Sequence, residues 1–453
     1  EHTMNNEERI TMLREMPIPQ LLIKMGLPTM IGMLVTGLYS IVDACFVGGL
    51  GTQQMGAISV VFPVGQILSG LGLLFGGGAS SYISRLLGAD DRKQANHVAS
   101  TALYSSLCIG IITTIIIEVF MNNILLVLGA TETILPYARE YTIIFALGAT
   151  FTIISTTLNN VLTSEGAAKL SMIAMLSGAA LNVILDPLLI YTLQMGIVGA
   201  AVATVASQAI TTLIYIIYLL TGKSVFTFSP KCFRMEGKIF GQIFKVGVPN
   251  LIFQLFTSLA MWLTTKTAQN YGDAAIAAMG VVTRIMAMGT LAVFGFMKGF
   301  QPIAGYNYGA KQYKRLWEAV KVTAKWSTLF CGVMTIILFL FPQGILSLFS
   351  NDISVLQTGA YALRVNSILF VFFGIGTEYA LLYLALGKSL GGLILSIGRQ
   401  GLFFVPVILL LPHYIGLNGV IFAQPIADVF TLIAIIILAT KINHEIKTLS
   451  LKA

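Results

Sequence analysis

Charge is what this chain of 453 residues has least of: only 10% of it is Asp, Glu, Lys or Arg, while 56% is hydrophobic. A soluble domain carries roughly 25% charged residues, so there is too little polar surface here to coat a water-soluble globule. That excludes a soluble enzyme, a nucleic-acid binder and a disordered scaffold, and leaves the bilayer as the fitting solvent. Cysteine is also scarce. Cys45, Cys108, Cys232 and Cys331 form no CxxC pair, which argues against a disulfide frame or a metal site. No HExxH, Walker or Ser/His/Asp pattern is present, so ATP-driven transport and membrane hydrolysis lack their residues, and no enzymatic activity or cofactor is expected. The stretch Asn5 to Gln20 is polar and charged. No cleavable signal peptide is expected, and the first apolar run reads as a membrane span.

Apolar runs long enough to span the bilayer recur along the whole chain. They predict twelve transmembrane helices, near 20–47, 54–83, 97–121, 136–162, 170–191, 197–220, 241–270, 274–304, 317–341, 356–386, 391–411 and 416–440. The net charge of +8 becomes a topology signal when the basic residues are sorted by loop. With a cytoplasmic N-terminus the inside loops hold Arg92, Lys93, Lys169, Lys223 to Lys238 and Lys311 to Arg315, and the tail adds Lys441, Lys447 and Lys452. The outside loops hold almost none, Arg139 being the nearest case. Both termini are therefore expected in the cytoplasm.

The chain also repeats itself. Gly26-Leu27-Pro28 returns as Gly247-Val248-Pro249, Gly51 meets Gly272, Gly78 meets Gly299, and Gly88-Ala89 meets Gly309-Ala310. Roughly fifteen identities fall in about seventy ungapped positions. Later, Gly196-Ile197-Val198-Gly199 matches Gly416-Leu417-Asn418-Gly419. The expected architecture is all-α: two six-helix bundles related by a pseudo-two-fold axis along the membrane normal. A cytoplasmic segment 1–19 leads into an N-lobe 20–220, a basic linker 221–240 joins it to a C-lobe 241–440, and a tail 441–453 closes the chain. Two parallel bundles around a cleft are a known way to build alternating access.

Charges within spans are costly and therefore informative. In the N-lobe they are Asp43 and Asp186, at matched depth and without a Lys or Arg nearby. Two such carboxylates take up protons or bind a metal cation. Asn182 shares a helix face with Asp186 at i, i+4, and Pro187 frees the carbonyl of Val183, so an amide oxygen and a bare carbonyl join the site. Thr204 adds a hydroxyl. For Na⁺ the ligands would be Asp43, Asn182 and Asp186. The bland alternative makes Asp186-Pro187 a kink and leaves Asp43 bonded to backbone. The C-lobe differs, because Glu378 and Asp428 share it with Lys266, Arg284, Lys298, Arg364 and Arg399. A polar cluster of Arg284, Glu378, Arg399 and Asp428 is expected there, with structural pairing of Arg399 to Asp428 or Glu378 as the default.

These motifs resemble those of the multidrug and toxic compound extrusion (MATE) family. Asp43-Ala44-Cys45-Phe46-Val47-Gly48 with Leu50-Gly51 is similar to the end of its first helix. Leu87-Gly88-Ala89 with Asp91-Arg92, Glu165-Gly166, Asp186-Pro187 and Gly199-Ala200-Ala201 with Ala203-Thr204 resemble later family motifs. Glu15-Met16-Pro17-Ile18 and Ile41-Val42-Asp43 point to its bacterial MepA-like branch. The resemblance implies export of amphipathic, often cationic drugs or toxic organic cations in exchange for H⁺ or Na⁺, by a monomer in the bacterial inner membrane. It implies a cation site of Asp43, Asn182, Asp186 and Thr204, with Tyr39, Tyr141 and Asn159 around it. Helix seven has Thr257 near the position where some members carry an acid, so a second ion site in the C-lobe is not expected. Two other readings stay open: a flippase of lipid-linked precursors, with a basic cleft from Lys266, Arg284 and Lys298, and a receptor or scaffold that transports nothing.

Overall fold

A computed structural model describes residues 4–453, which are helical with no strand among them. The first helix, α1 (Asn6–Glu15), was not foreseen in so polar a stretch. A capping box between Asn5 and Glu8 starts it, and Ile10, Met12 and Leu13 pack into the main core. Met16, held extended by the following Pro17, ends it.

The N-lobe then runs α2 (Ile18–Gly48), α3 (Thr52–Gly88), α4 (Arg92–Val119), the short α5 (Met121–Val127), α6 (Leu135–Leu147), α7 (Ala149–Ser164), α8 (Ala168–Pro187) and α9 (Ile197–Leu220). The C-lobe repeats the series as α10 (Gly237–Ala268), α11 (Asp273–Gly309), α12 (Tyr313–Leu340), α13 (Pro342–Leu346), α14 (Ile353–Ser367), α15 (Phe373–Ala385), α16 (Ser389–Ile397), α17 (Phe404–Ile415) and α18 (Leu417–Lys452). Eleven helices are long and apolar enough to cross a membrane, and the bent pair α6–α7, broken by 49° at Gly148, makes twelve. The protein is a multi-pass membrane protein.

The repeat in the sequence is a repeat in the structure. Helices α3 and α11 are both 37 residues long, and α4 and α12 both 28. Each fifth span is interrupted by a π-turn, Leu188–Thr192 in one lobe and Gly398–Leu402 in the other. Gly196 and Gly416 start the sixth spans at φ/ψ of 61/−136° and 66/−137°, a region open essentially to glycine alone. The expected linker is irregular apart from one turn at Pro230–Cys232. It lies on α4, where His97, Thr101 and Tyr104 bond its backbone. The expected tail, in contrast, is the end of α18. Ile442 and Ile446 at i, i+4 are buried in the main core, and Glu445 pairs with Lys388 at 2.8 Å, so the helix continues.

The lobes close on each other at one end only, the end that carries both termini. There α2 lies along α11 and α3 along α10, and glycines allow backbone to touch backbone: Gly78 meets the Ile243 carbonyl, Gly247 the Leu74 carbonyl, Gly309 the Arg85 carbonyl, and Gly299 meets Gly26. Ser81 donates to the Leu384 carbonyl at 2.5 Å and Arg85 to Gln242 at 3.3 Å. Gln66 and Gln254 bond across the lobes, and Leu291 packs at Gly37. Beyond that level, Gly48, Gly272 and Gly280 face open space. The lobes part there, leaving a cleft open at the far end.

Candidate functional site

Asp43 stands near the far end of α2. Six residues separate it from Gly37, which faces the C-lobe, and six residues turn a helix about 120° away. Its side chain is thus aimed into the N-lobe, not into the cleft. Asp186 comes from the end of α8, just before Pro187 and the π-turn Leu188–Thr192. Because proline has no N–H, the regular ladder cannot continue through it, and π-turns recur where helices make sites.

The two carboxyls face each other. Asp186 is fully buried, and both of its oxygens, like Asp43 Oδ1, have no hydrogen-bond partner among the described residues. Asn182, one turn earlier on α8, is 1% exposed with its amide oxygen and nitrogen both unpartnered. Tyr39 and Tyr141 stand close to both carboxyls, and the Tyr141 hydroxyl meets that of Thr204. Thr204 also donates to the Ala200 carbonyl at 3.0 Å. Tyr141 is held by a stack on Phe145, with centroids 5.5 Å apart. The fold therefore gathers six of the seven N-lobe residues marked from sequence. Asn159 sits apart: it donates to the Tyr215 hydroxyl at 2.8 Å, eleven residues and about 16 Å further along α9 than Thr204. A buried polar atom without a partner costs free energy. Asp43, Asn182 and Asp186 concentrate several in one place, with no cation among the described residues to answer them.

The expected C-lobe cluster is only partly formed. Arg399 donates to Asp428 at 2.9 Å, Gln424 donates to the same oxygen at 2.9 Å, and the guanidinium lies over Phe373. Glu378 does not join them; it is fully buried and both its oxygens are unpartnered. Arg284 lies outside the cluster as well, exposed on α11.

One constellation went unread in the sequence because its parts are far apart along the chain. Glu165, fully buried between α7 and α8, takes hydrogen bonds from Val225 N–H at 2.8 Å, Ser224 at 2.9 Å and Tyr218 at 3.1 Å. Arg9 of α1 lies 3.6 Å away, over the Tyr218 ring, and bonds the Lys223 carbonyl. Burial pushes the Glu165 carboxyl above the usual carboxylate range, while Arg9 and the three donors pull it back.

Against known proteins the chain matches the MatE family model twice, over residues 28–188 and 249–410, one match in each lobe. It is 31% identical to the multidrug export protein MepA of Staphylococcus aureus (strain N315) over 423 residues, 93% of each chain. The MepA of Staphylococcus haemolyticus (strain JCSC1435) is 32% identical over 424 residues, again 93% of each. Among solved structures, a MATE protein in complex with MaL6 superimposes with a TM-score of 0.91 at 28% identity, covering 98% of this chain and 99% of that one. A multidrug resistance MATE family transporter of the MOP superfamily, in an outward-facing conformation, gives 0.90 at 28% identity over 99% of both.

Proposed function

The chain belongs to the MatE family, and from that premise we propose that it is a secondary antiporter exporting amphipathic, often cationic drugs in exchange for H⁺ or Na⁺. The observation that carries the coupling is the pair Asp43 and Asp186, a half-buried and a fully buried carboxyl that share three unpartnered oxygens and have no cation beside them among the described residues. Asn182, Thr204 and the carbonyl freed by Pro187 complete a donor set of oxygens that suits either ion. The two lobes, 20–220 and 241–440, rock about the linker 221–240 in a monomer. The end carrying the termini is cytoplasmic, because Lys and Arg crowd its loops. The conformation seen here then faces outward, from the inner membrane of a bacterium.

The mechanism follows from where charge lies. In the outward state a cation from outside reaches Asp43 and Asp186 and neutralises them. That removes the penalty of their bare oxygens and lets α2 and the α8 π-turn repack. Repacking weakens the hold of the cleft on the drug, which leaves outward. Once the lobes rock, the ion leaves inward and the carboxyls are bare again. Coupling of this kind is typically worth 5- to 150-fold in affinity. Asp186→Asn is expected to lower efflux of a fluorescent cation from cells by at least about tenfold. Full efflux with intact gradients would remove the site. Counterflow in liposomes with pH and sodium gradients imposed separately identifies the ion.

A further inference from the structure

On the flank of the N-lobe, at the end away from the termini, a groove of about 360 Å³ runs between the end of α4 and α6. Glu118, Phe120, Asn122, Asn123, Arg139 and Ile143 line it. It is separate from the coupling acids. Arg139 and Tyr141 lie two apart on α6, and two residues turn a helix by about 200°, so Arg139 is aimed away from the side where Tyr141 meets Asp43 and Asp186. The charges of the groove are unmatched. Glu118 keeps a buried carboxylate oxygen without a hydrogen-bond partner. Arg139 is exposed and donates to the Asn122 side chain at 2.9 Å, making no ion pair with Glu118 among the described residues. An acid from one helix and a base from another thus line the same groove without meeting, and a carboxylate oxygen left bare out of water is costly.

The C-lobe shows the same junction closed on itself. The repeat that pairs Gly88 with Gly309 pairs Glu118 with Phe339 and Ile143 with Arg364. There Arg364 donates to the Phe339 carbonyl at 3.0 Å and lies over the Phe339 ring, so the arginine is taken up by the protein itself. The fold therefore does not need an open acid and base at this place. Beside the N-lobe groove, Ile112, Ile115, Ile116 and Val119 are exposed along α4, an apolar face that suits hydrocarbon. Val119 ends α4, and α5, which follows, has seven residues and is too short to span a bilayer. The groove thus lies where hydrocarbon gives way to headgroups.

We infer that this groove binds the headgroup of a zwitterionic phospholipid bearing a primary amine, its ammonium donating to Glu118 and its phosphate accepting from Arg139, while its chains run down the isoleucines of α4. Each charge of such a lipid answers the one the groove leaves open. An anionic headgroup without an amine would leave Glu118 bare and set a like charge beside it. A quaternary ammonium has no N–H to give to the carboxylate. The inference needs only the membrane-spanning fold and stands whether or not the export reading above holds.

The test uses the full chain in detergent, freed of co-purified lipid, with bound lipid counted by native mass spectrometry. Two probes are compared, dioleoyl phosphatidylethanolamine and its N-acetyl derivative, which keeps the phosphate and loses the ammonium. The wild type is expected to bind the amine lipid at least about threefold more tightly. Glu118→Gln should abolish that preference, and Arg139→Gln should weaken binding of both lipids. Arg364→Gln, at the matching C-lobe junction, should leave the preference unchanged. Equal affinities in the wild type, or a preference that survives Glu118→Gln, overturn the site, and the first of these needs no variant to fold. Glycerophosphoethanolamine, the headgroup without chains, is expected to displace the lipid only at far higher concentration. Displacement at equal concentration would give the groove to a soluble zwitterion and overturn the lipid.

Discussion

Arg9 and Glu165 illustrate how a buried ion pair in this protein becomes visible only through its hydrogen bonds. The pair ties α1, the α7–α8 turn, the end of α9 and the start of the linker into one knot. Breaking such a pair from one side leaves a buried charge unanswered, at about 3–5 kcal/mol. Arg9→Ala is accordingly expected to lower the thermal midpoint of the detergent-solubilised protein strongly. The double variant Arg9→Met with Glu165→Gln should recover most of that loss. Equal losses in the single and double variants would show that packing of α1, and not the charge, is what matters. Nothing in the spacing of Arg9, Glu165 and Ser224 foretold this contact. Asp43 and Asp186 were legible for the opposite reason, since an acid within an apolar run stands out wherever its partner lies. Asn159 shows the limit of carrying positions over one at a time, because its amide is taken up by Tyr215, a residue no motif linked to it.

At the scale of elements, apolar length and turn residues placed nearly every span, and the repeat of Gly51, Gly78 and Gly88 marked which helices correspond. Breaks within spans were not legible. The 49° bend at Gly148 and the 3-10 turn Ile368–Phe372 lie in runs as apolar as any other. Nor was α1, whose three buried apolar residues acquire a partner only when both lobes are assembled. The seam glycines make the element-scale prediction. A methyl group on Gly247 would run into the Leu74 backbone, which cannot rotate away as a side chain can. Overpacking of this kind costs about 1–3 kcal/mol. Because that cost falls on the conformation closed at this end, Gly247→Ala should shift the population toward the other access state. Hydrogen exchange of α3 and α10 amides near the seam is the measurement, with faster exchange expected. Gly280→Ala, in open space, should leave exchange unchanged.

Across the whole molecule, the same contacts that hold one end shut define what transport has to undo. Every hydrogen bond between the helical lobes described above lies at or below the level of Gln66 and Gln254, and the cleft above carries none among the described residues. If the lobes rock as proposed, Arg85 must part from Gln242 and Ser81 from the Leu384 carbonyl before the far end can close. Cysteines placed at Arg85 and Gln242, with the four native cysteines replaced, should be joined readily by a short bismaleimide in the conformation seen here. Joining them should stop export altogether while leaving binding of a ligand from the open end intact, since the cleft stays open there. A pair at Gly48 and Gly280 flanks the open end and should react only once that end closes, so excess ligand that holds it open should suppress the reaction. Export that survives complete cross-linking at Arg85 and Gln242 would mean that the seam does not open during transport. The path would then have to run within one lobe, which the single cleft between two matched bundles argues against.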